Sequence, residues 1–386
     1  MLERLPELFE KSFGKNDKEV RKYFSPSRIN IIGEHVDYNG GQVFPCAIEI
    51  GTYGLARKND DMVLRLKSVN LDAEGEITLD PIEYKEENDW MNYPLGVCKF
   101  IKEAGYDIGG LDILVYGNIP NGSGLSSSAS LELLIGEIVN DFYNKGKISK
   151  KDLALIGQKT ENKFIGVNCG IMDQFIIALG KKDHAMLLNT ETLDYSYFPF
   201  DLKDNKIVIL NTNKRRELKD SKYNERRAES DKAFEILKTY KPSMTSLCDI
   251  NKDELDLLDK ITDPIIRKRA EHAIKENHRV LEATEALKAG DIEELGRLLI
   301  GSNDSLRDLY EVTGPHLDSI TKHSNDFEGC LGARMTGAGF GGCGIAIVKA
   351  DQVAAFNEYV GERYTKDTGL KAEFIESGID DGVRRI

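Results

Sequence analysis

Little in this 386-residue chain marks it for an oxidising compartment, a membrane or a nucleic acid. Its six cysteines, Cys46, Cys98, Cys169, Cys248, Cys330 and Cys343, are scattered without a Cys-x-x-Cys pair, and the histidines form no cluster, as expected of reduced thiols in a cytoplasmic protein. Basic residues are outnumbered, 52 Lys and Arg against 65 Asp and Glu, and the net charge of −13 argues against a general nucleic-acid or membrane-surface binder. An anionic substrate would therefore need local cations and a metal. No apolar run approaches the length of a membrane span, and the charged start Met1-Leu2-Glu3-Arg4 lacks a signal core, so a cytoplasmic location is expected. Repeats, low-complexity tracts and Pro-rich linkers are missing as well. What remains is an ordinary globular composition, 40% hydrophobic and 30% charged, long enough for about two domains. We place their boundary near residue 200, giving domains 1–200 and 201–386.

The stretch that stands out is Ile119-Pro120-Asn121-Gly122-Ser123-Gly124-Leu125-Ser126-Ser127-Ser128-Ala129-Ser130-Leu131-Glu132. Gly122 and Gly124 permit a tight turn and close approach to a ligand, and the serines suit a helix start as caps. Leu131, Ile135, Ile138 and Phe142 then recur at helical spacing as one apolar face. A helix start with N–H groups, a positive dipole end and hydroxyls is a ready phosphate site. The stretch lacks the Gly-Lys-Ser/Thr ending of a Walker loop, and Ser126 stands where the dinucleotide fingerprint needs its third glycine. Taken alone, it is equally a capped helix after a Gly-Ser turn.

Along the chain the pattern predicts a helix over 1–23, strands over 24–32, 43–50, 52–57, 62–69 and 111–116, a helix over 151–163, and strands over 184–189 and 206–212. The second half is mainly helical. Asp263-Pro264 starts a helix that runs to a Gly290 stop. Helices over 292–300, 305–311 and 316–323 follow, then a glycine-rich turn, a strand over 344–348, a helix from Gln352 and a strand near 372–375.

Further constellations can carry chemistry. Residues 28–39, Arg28-Ile29-Asn30-Ile31-Ile32-Gly33-Glu34-His35-Val36-Asp37-Tyr38-Asn39, deliver an Arg, two carboxylates, a His and an Asn into a glycine-marked turn. That set suits a small polyhydroxylated ligand, because a carboxylate accepts from two hydroxyls in charge-assisted bonds. Glu161 and Asp173, the latter after the Cys169-Gly170 turn, can act as metal ligand and base, or as a surface carboxylate and a helix cap. Gly337-Ala338-Gly339-Phe340-Gly341-Gly342 has dinucleotide spacing, but a strand pattern follows where a helix is required, which leaves a flexible turn able to lie against a ligand or a plain hairpin. Lys222-Tyr223-Asn224-Glu225-Arg226-Arg227 reads as a solvated helix face.

Taken together these segments resemble a known family. Residues 28–39 are similar to the galactokinase signature, and residues 119–132 and 334–342 resemble the second and third motifs of the galactokinase, homoserine kinase, mevalonate kinase and phosphomevalonate kinase (GHMP) superfamily. Cys169-Gly170-Ile171-Met172-Asp173-Gln174 and Tyr223-Asn224-Glu225-Arg226-Arg227 fit the galactokinase branch, and the resemblance spans nearly the whole chain. It departs at Ser27, where the family has Gly, and at Val36, where it has Thr.

The resemblance implies an α+β, two-domain fold with the active site in the cleft between the lobes, and transfer of phosphate from ATP to the anomeric hydroxyl of D-galactose with magnesium (Mg2+). Arg28 and Asp173 would flank the reacting hydroxyl, with Asp173 either taking the proton or positioning the hydroxyl. Glu34, His35, Asp37, Gly170 and Tyr223 would hold the sugar. Gly122, Ser123, Gly124, Leu125, Ser126, Ser127 and Ser128 would cradle the ATP phosphates, Trp90 the adenine, and Gly337 and Gly339 would close over the site. Ser128 and Glu161 would bind the metal. The expected partners are small molecules, with the chain a monomer; N-acetylgalactosamine kinase and a non-catalytic galactose sensor are the competing readings.

Overall fold

The computed structural model describes residues 1–386 apart from 73, 121 and 215–218, and the backbone alone at 219–221. Its strands are β1 (Arg21–Asn30), β2 (Gln42–Val43), β3 (Pro45–Lys58), β4 (Val63–Ser68), β5 (Glu74–Thr78), β6 (Leu111–Gly117), β7 (His184–Asn189), β8 (Tyr195–Pro199), β9 (Asn205–Asn211), β10 (Cys330–Thr336), β11 (Cys343–Lys349), β12 (Glu373–Glu376) and β13 (Arg384–Arg385). They form a six-stranded sheet in the order β13-β1-β3-β6-β4-β5, a four-stranded sheet β10-β11-β9-β12 and a three-stranded sheet β2-β7-β8. The first and third sheets use the first half of the chain and the four-stranded sheet the second. The C-terminus then crosses back, Arg384 and Arg385 pairing with Phe24 and Tyr23.

On the six-stranded sheet lies the helix Ser127–Asn144, enclosed by the helices Asn92–Glu103, Lys150–Lys159 and Met172–Leu179. Leu133, Leu134, Ile135, Ile138 and Val139 are all buried in this core, whereas Leu131 is only half-buried. The helix is therefore covered on nearly all sides rather than along one face. A second apolar cluster joins the two halves of the chain, bringing Ile29, Ile31, Phe44 and Ile48 against Ile207, Ile209, Val280 and Ile345. Because β1 ends in that cluster, the polar turn after it is delivered to the junction between the sheets.

Several elements differ from the sequence pattern for local reasons. The first helix covers only Leu5–Phe13, ending at Gly14 (φ 73°), and Arg21 already belongs to β1. Residues 43–50 and 52–57 are largely one strand, β3, because Gly51 does not break it; a Cβ there would lie 2.1 Å from Ser25 O, so glycine is what lets β1 pass where its register with β3 shifts. Strands β5 and β8 are edge strands of mainly half-exposed or exposed residues, which lack an apolar run, and β10 carries Gly332 and Arg334 inside it. By contrast, the helix Pro264–Ala289 has the ends the pattern predicts: Asp263 caps Ile265 N and Ile266 N, and Gly290 closes it in the left-handed region.

Candidate active site

At the junction lies a cavity of about 650 Å³. Of the residues singled out from sequence, Arg28, Glu34, His35, Asp37, Gly122, Gly124, Ser126, Ser127, Ser128, Glu161, Gly170, Asp173, Tyr223 and Gly337 line it, with Val167, Cys169, Met172 and Ala338. Ser123 and Leu125 are instead buried beneath the loop, Leu125 in the inter-sheet cluster and its carbonyl bonded by Ser27 Oγ. Gly339 faces away, packed on Val312 O. Asn121 lies outside the described residues.

At one end Arg28, buried on β1, meets Asp173 in a two-pronged pair: Nε donates to Oδ1 at 2.7 Å and Nη2 to Oδ2 at 2.9 Å. Its Nη1 donates to Gly124 O at 3.1 Å, which ties the serine loop to the pair. Burial alone would lower the Arg28 pKa, but the adjoining Asp173 carboxylate outweighs it and the group is raised. A guanidinium has five N–H groups, so these bonds, among the described residues, leave one on each terminal nitrogen of a side chain that lines the cavity.

The serine loop corrects one expectation. Ser126 sits at the helix start with φ 60° and ψ 47° and makes no side-chain cap; its hydroxyl donates to Asp173 Oδ2 instead. Among the described residues no side chain then quenches the first helical N–H groups, and a ligand at this end meets the open dipole. Gly122 (φ 69°), with nothing within 4 Å of its would-be Cβ, and Gly124 (φ 75°) carry the chain through the left-handed region beside it.

Glu161 lines the same cavity as Ser128, on a π-turn (Thr160–Ile165) that follows a regular helix and terminates at Gly166 (φ 91°). Such one-turn widenings are frequent at functional sites, and this one sets a buried carboxylate in the cavity wall. Ser128 and Glu161 are hard oxygen donors lining one cavity, the set magnesium takes when phosphates and waters complete its shell. Among the described residues no three His, Cys, Asp or Glu side chains gather to hold a metal unaided. One turn beyond Ser128, Glu132 is buried, bonded by Gln174 Nε2 at 3.2 Å, with Oε1 lacking a hydrogen-bond partner among the described residues. Burial, and then the charge of Glu161, push its pKa well up.

The turn after β1 lines the other end. Glu34 is buried, its Oε1 accepting from Gly337 N at 2.7 Å and Thr336 Oγ1 at 3.1 Å and pairing with the fully buried Arg334 at 3.1 Å. One of its oxygens is thus committed to the glycine-rich turn of the second half. His35 takes φ 60°, a left-handed conformation unusual without glycine. Its Nδ1 lies 2.8 Å from Tyr38 Oη and its Nε2 3.2 Å from Ala338 O. Burial chiefly, with the neighbouring His272, lowers its pKa to about 3. Asp37 has the opposite problem: burial, then Asp173 and Glu34, raise it to about 7. Gly170 makes room for it, since a Cβ at 170 would lie 1.8 Å from Asp37 Oδ2. Tyr223 packs against His35 and Tyr38 with ring centroids 5.7 and 5.4 Å apart, so the helix face read as solvated is partly inside the cleft.

Trp90 is not among the cavity-lining residues. It is half-buried against the first core, beside Asp89 at φ 47° and ψ −125°, and the buried donors Trp90 Nε1 and Asn88 Nδ2 have no acceptor among the described residues. A purine ring offers acceptors of the kind these donors lack.

A buried guanidinium paired with a half-buried carboxylate, a helix start that no described side chain caps and a polar turn meet in one cleft, an arrangement suited to phosphoryl transfer onto a small hydroxylated substrate. Comparison with known proteins gives the class: residues 92–181 match the GHMP kinases N terminal domain and residues 283–366 the GHMP kinases C terminal domain. A mevalonate kinase from Methanococcus jannaschii shares the fold, with TM-score 0.69 at 20% identity over 95% of this chain and 100% of that one. Within that class, residues 7–58 match the galactokinase galactose-binding signature. The chain is 49% identical to a galactokinase of Clostridium tetani, over 100% of this chain and 98% of that one. It is 51% identical to one of Streptococcus mutans, over 99% and 98%. The crystal structure of Lactococcus lactis galactokinase complexed with galactose superposes with TM-score 0.96 at 46% identity over 100% of both chains. The chain belongs to the galactokinase family.

Proposed function

We infer that this protein transfers the γ-phosphoryl group of ATP to the anomeric hydroxyl of D-galactose, giving galactose 1-phosphate and ADP. The observation that carries this reading is the meeting, in one cavity, of the Arg28–Asp173 pair with a helix start that no side chain among the described residues caps. Family membership supplies the sugar and the nucleotide.

In this reading the anomeric hydroxyl lies against Asp173. Both carboxylate oxygens already accept from Arg28, and Oδ2 from Ser126 as well. Asp173 therefore acts mainly by orienting the hydroxyl; it has little basicity to spare beforehand and takes the proton only as the new oxygen–phosphorus bond makes that hydroxyl strongly acidic. Arg28 uses its two remaining N–H groups on the transferring phosphoryl oxygens, and the N–H groups of Ser127 and Ser128 face the same charge, so stabilisation is in place before the reaction begins. Magnesium, when bound, would be held by Ser128 and Glu161 and would neutralise charge on the ATP phosphates. Trp90 borders the adenine. Glu34, His35, Asp37, Gly170 and Tyr223 hold the sugar, and the turn at Gly337 closes on it. We read the chain as two domains, 1–200 and 201–386, with the last strand crossing back to the first.

A coupled assay for ADP with galactose, ATP and magnesium tests the activity. Galactose-dependent ADP release is expected; galactose binding without ADP would mean a sensor instead. A site that bonds a hydroxyl rejects an analogue that misplaces it by about 10⁴, so kcat/KM for glucose, the 4-epimer, should fall by that order. N-acetylgalactosamine ahead of galactose would overturn the substrate but keep the reaction.

A further inference from the structure

Tyr310 belongs to none of the motifs above, yet it reaches the sugar-holding turn from the second half of the chain. Its ring lies between the imidazoles of His35 and His272, with centroids 4.9 and 4.5 Å away. Its hydroxyl is 2.8 Å from Tyr38 Oη and 2.7 Å from Ser230 Oγ. Tyr38 in turn bonds His35 Nδ1, and His35 Nε2 meets Ala338 O. These contacts form one unbroken chain, and its direction can be worked out.

Ala338 O can only accept, so His35 must carry its proton on Nε2. With His35 held neutral by burial, Nδ1 is then a bare acceptor and Tyr38 must donate to it. The single hydroxyl proton of Tyr38 is thereby used, so Tyr310 donates to Tyr38, and Ser230 to Tyr310. Every proton in the chain has one place. The bond to Ala338 O, at 3.2 Å, is the longest member and the one most easily exchanged for another acceptor in the cavity that both residues line.

The backbone that aims Tyr310 is held unusually firmly. It is the last residue of a π-turn (Leu306–Tyr310) that ends on Glu311 at φ 57°, a left-handed conformation unfavourable for a non-glycine residue. Two arginines hold the carbonyls this turn frees: Arg226 Nε donates to Tyr310 O at 2.8 Å and Arg269 Nη1 to Leu309 O at 2.5 Å. Glu229 braces both, at 3.0 and 2.7 Å.

We propose that Tyr310 is a positioning residue for sugar binding: acting through Tyr38, it fixes the ring and tautomer of His35 so that the Nε2 proton faces the sugar end of the cleft. The proposal rests on the galactokinase reading of that cleft. Tyr310 itself touches neither substrate; its effect falls on galactose affinity and leaves phosphoryl transfer alone.

The test is steady-state kinetics and galactose titration calorimetry on Tyr310→Phe, Tyr38→Phe and the double variant. Tyr310→Phe keeps the ring packing and removes only the hydroxyl. We expect its galactose KM and Kd to rise roughly tenfold, the usual effect of stranding a buried hydrogen-bonding partner, with kcat and the ATP KM within about twofold. Because both hydroxyls act in one chain, the double variant should be no worse than Tyr38→Phe by more than about twofold. An unchanged galactose KM in Tyr310→Phe, losses that multiply in the double variant, or an equal fall in kcat would overturn the proposal. Should Tyr310→Phe not fold, Ser230→Ala reads the chain from its far end: galactose KM should rise about threefold, and no change overturns it. A wild-type protein that forms no ADP defeats the activity itself; wild-type turnover with unaltered variants defeats only this inference.

Discussion

At the reacting end of the cavity Arg28 and Asp173 set full charges against each other, drawn from strand β1 and the helix Met172–Leu179 of the first half of the chain. At the sugar end the buried ion pair of Glu34 with Arg334 is closed on itself across the two halves, and the groups around it are neutral: His35, Tyr38, Tyr223 and Tyr310, the three phenols all pushed up in pKa first by burial. The difference follows from what each end would hold. Phosphoryl transfer develops and moves charge, which fixed charges stabilise best in a water-poor site. Recognition of a neutral sugar needs donors and acceptors at fixed places, and a buried unpaired charge there would cost more than it returned. Asp37 lies between the two ends, and burial, then the charges of Asp173 and Glu34 on either side, raise its pKa to about 7.

Breaking the charged end should have the largest effect. Asp173→Asn and Asp173→Ala should each lower kcat by about 10² or more, the range for a group that handles the transferred proton. Near-normal turnover in folded variants would remove Asp173 from the chemistry. Glu161→Gln comes next: kcat should fall tens of times while galactose KM stays within a few-fold, because the lost charge acts on the phosphates. Equal losses in both parameters would make Glu161 a structural residue.

The sugar end should show the reverse split. In Gly170→Ala the new methyl would fall 1.8 Å from Asp37 Oδ2, so the carboxylate must move. Galactose KM should rise about tenfold with a smaller change in kcat; an unaltered KM would show that Asp37 does not hold the sugar. The smallest effect separates the two ends by pH. Asp37 binds its proton more tightly in the folded chain than in the unfolded one, so its contribution to stability is full below the ordinary carboxylate range and is lost as pH rises toward about 7. Asp37→Asn removes that loss. The ligand-free variant should melt about 2 to 4 °C above the parent at pH 8 and level with it near pH 4, by scanning calorimetry at one scan rate. A parent that is the more stable at pH 8 would contradict the assignment.

Much of this was readable along the chain because its signals are local. Asp263-Pro264 and Gly290 mark a helix by capping chemistry alone, and the glycines of the serine loop announce a backbone that enters the left-handed region. What escaped the sequence depends on partners far away. The hydroxyl of Ser126 looks like a helix cap until Asp173, 47 residues on, claims it. Glu161 sits within a helical pattern, and the π-turn there carries it into the cavity that Ser128 also lines. Tyr310 reads as one more aromatic in a helix over 305–311, and its position between two histidines is set by contacts from residues 35 and 272. Tyr223 was named by resemblance, while its own segment reads as solvated because the ring that faces the cleft is flanked by charged neighbours.

The account turns on where the phosphoryl group goes. The direct measurement is the phosphorus-31 NMR spectrum of the product formed from galactose, ATP and magnesium, without proton decoupling. An ester at the anomeric carbon has one proton on the carbon bearing the phosphate, so a doublet is predicted, growing in step with ADP. A triplet from an ester at the two-proton C6, or inorganic phosphate alone, would contradict it.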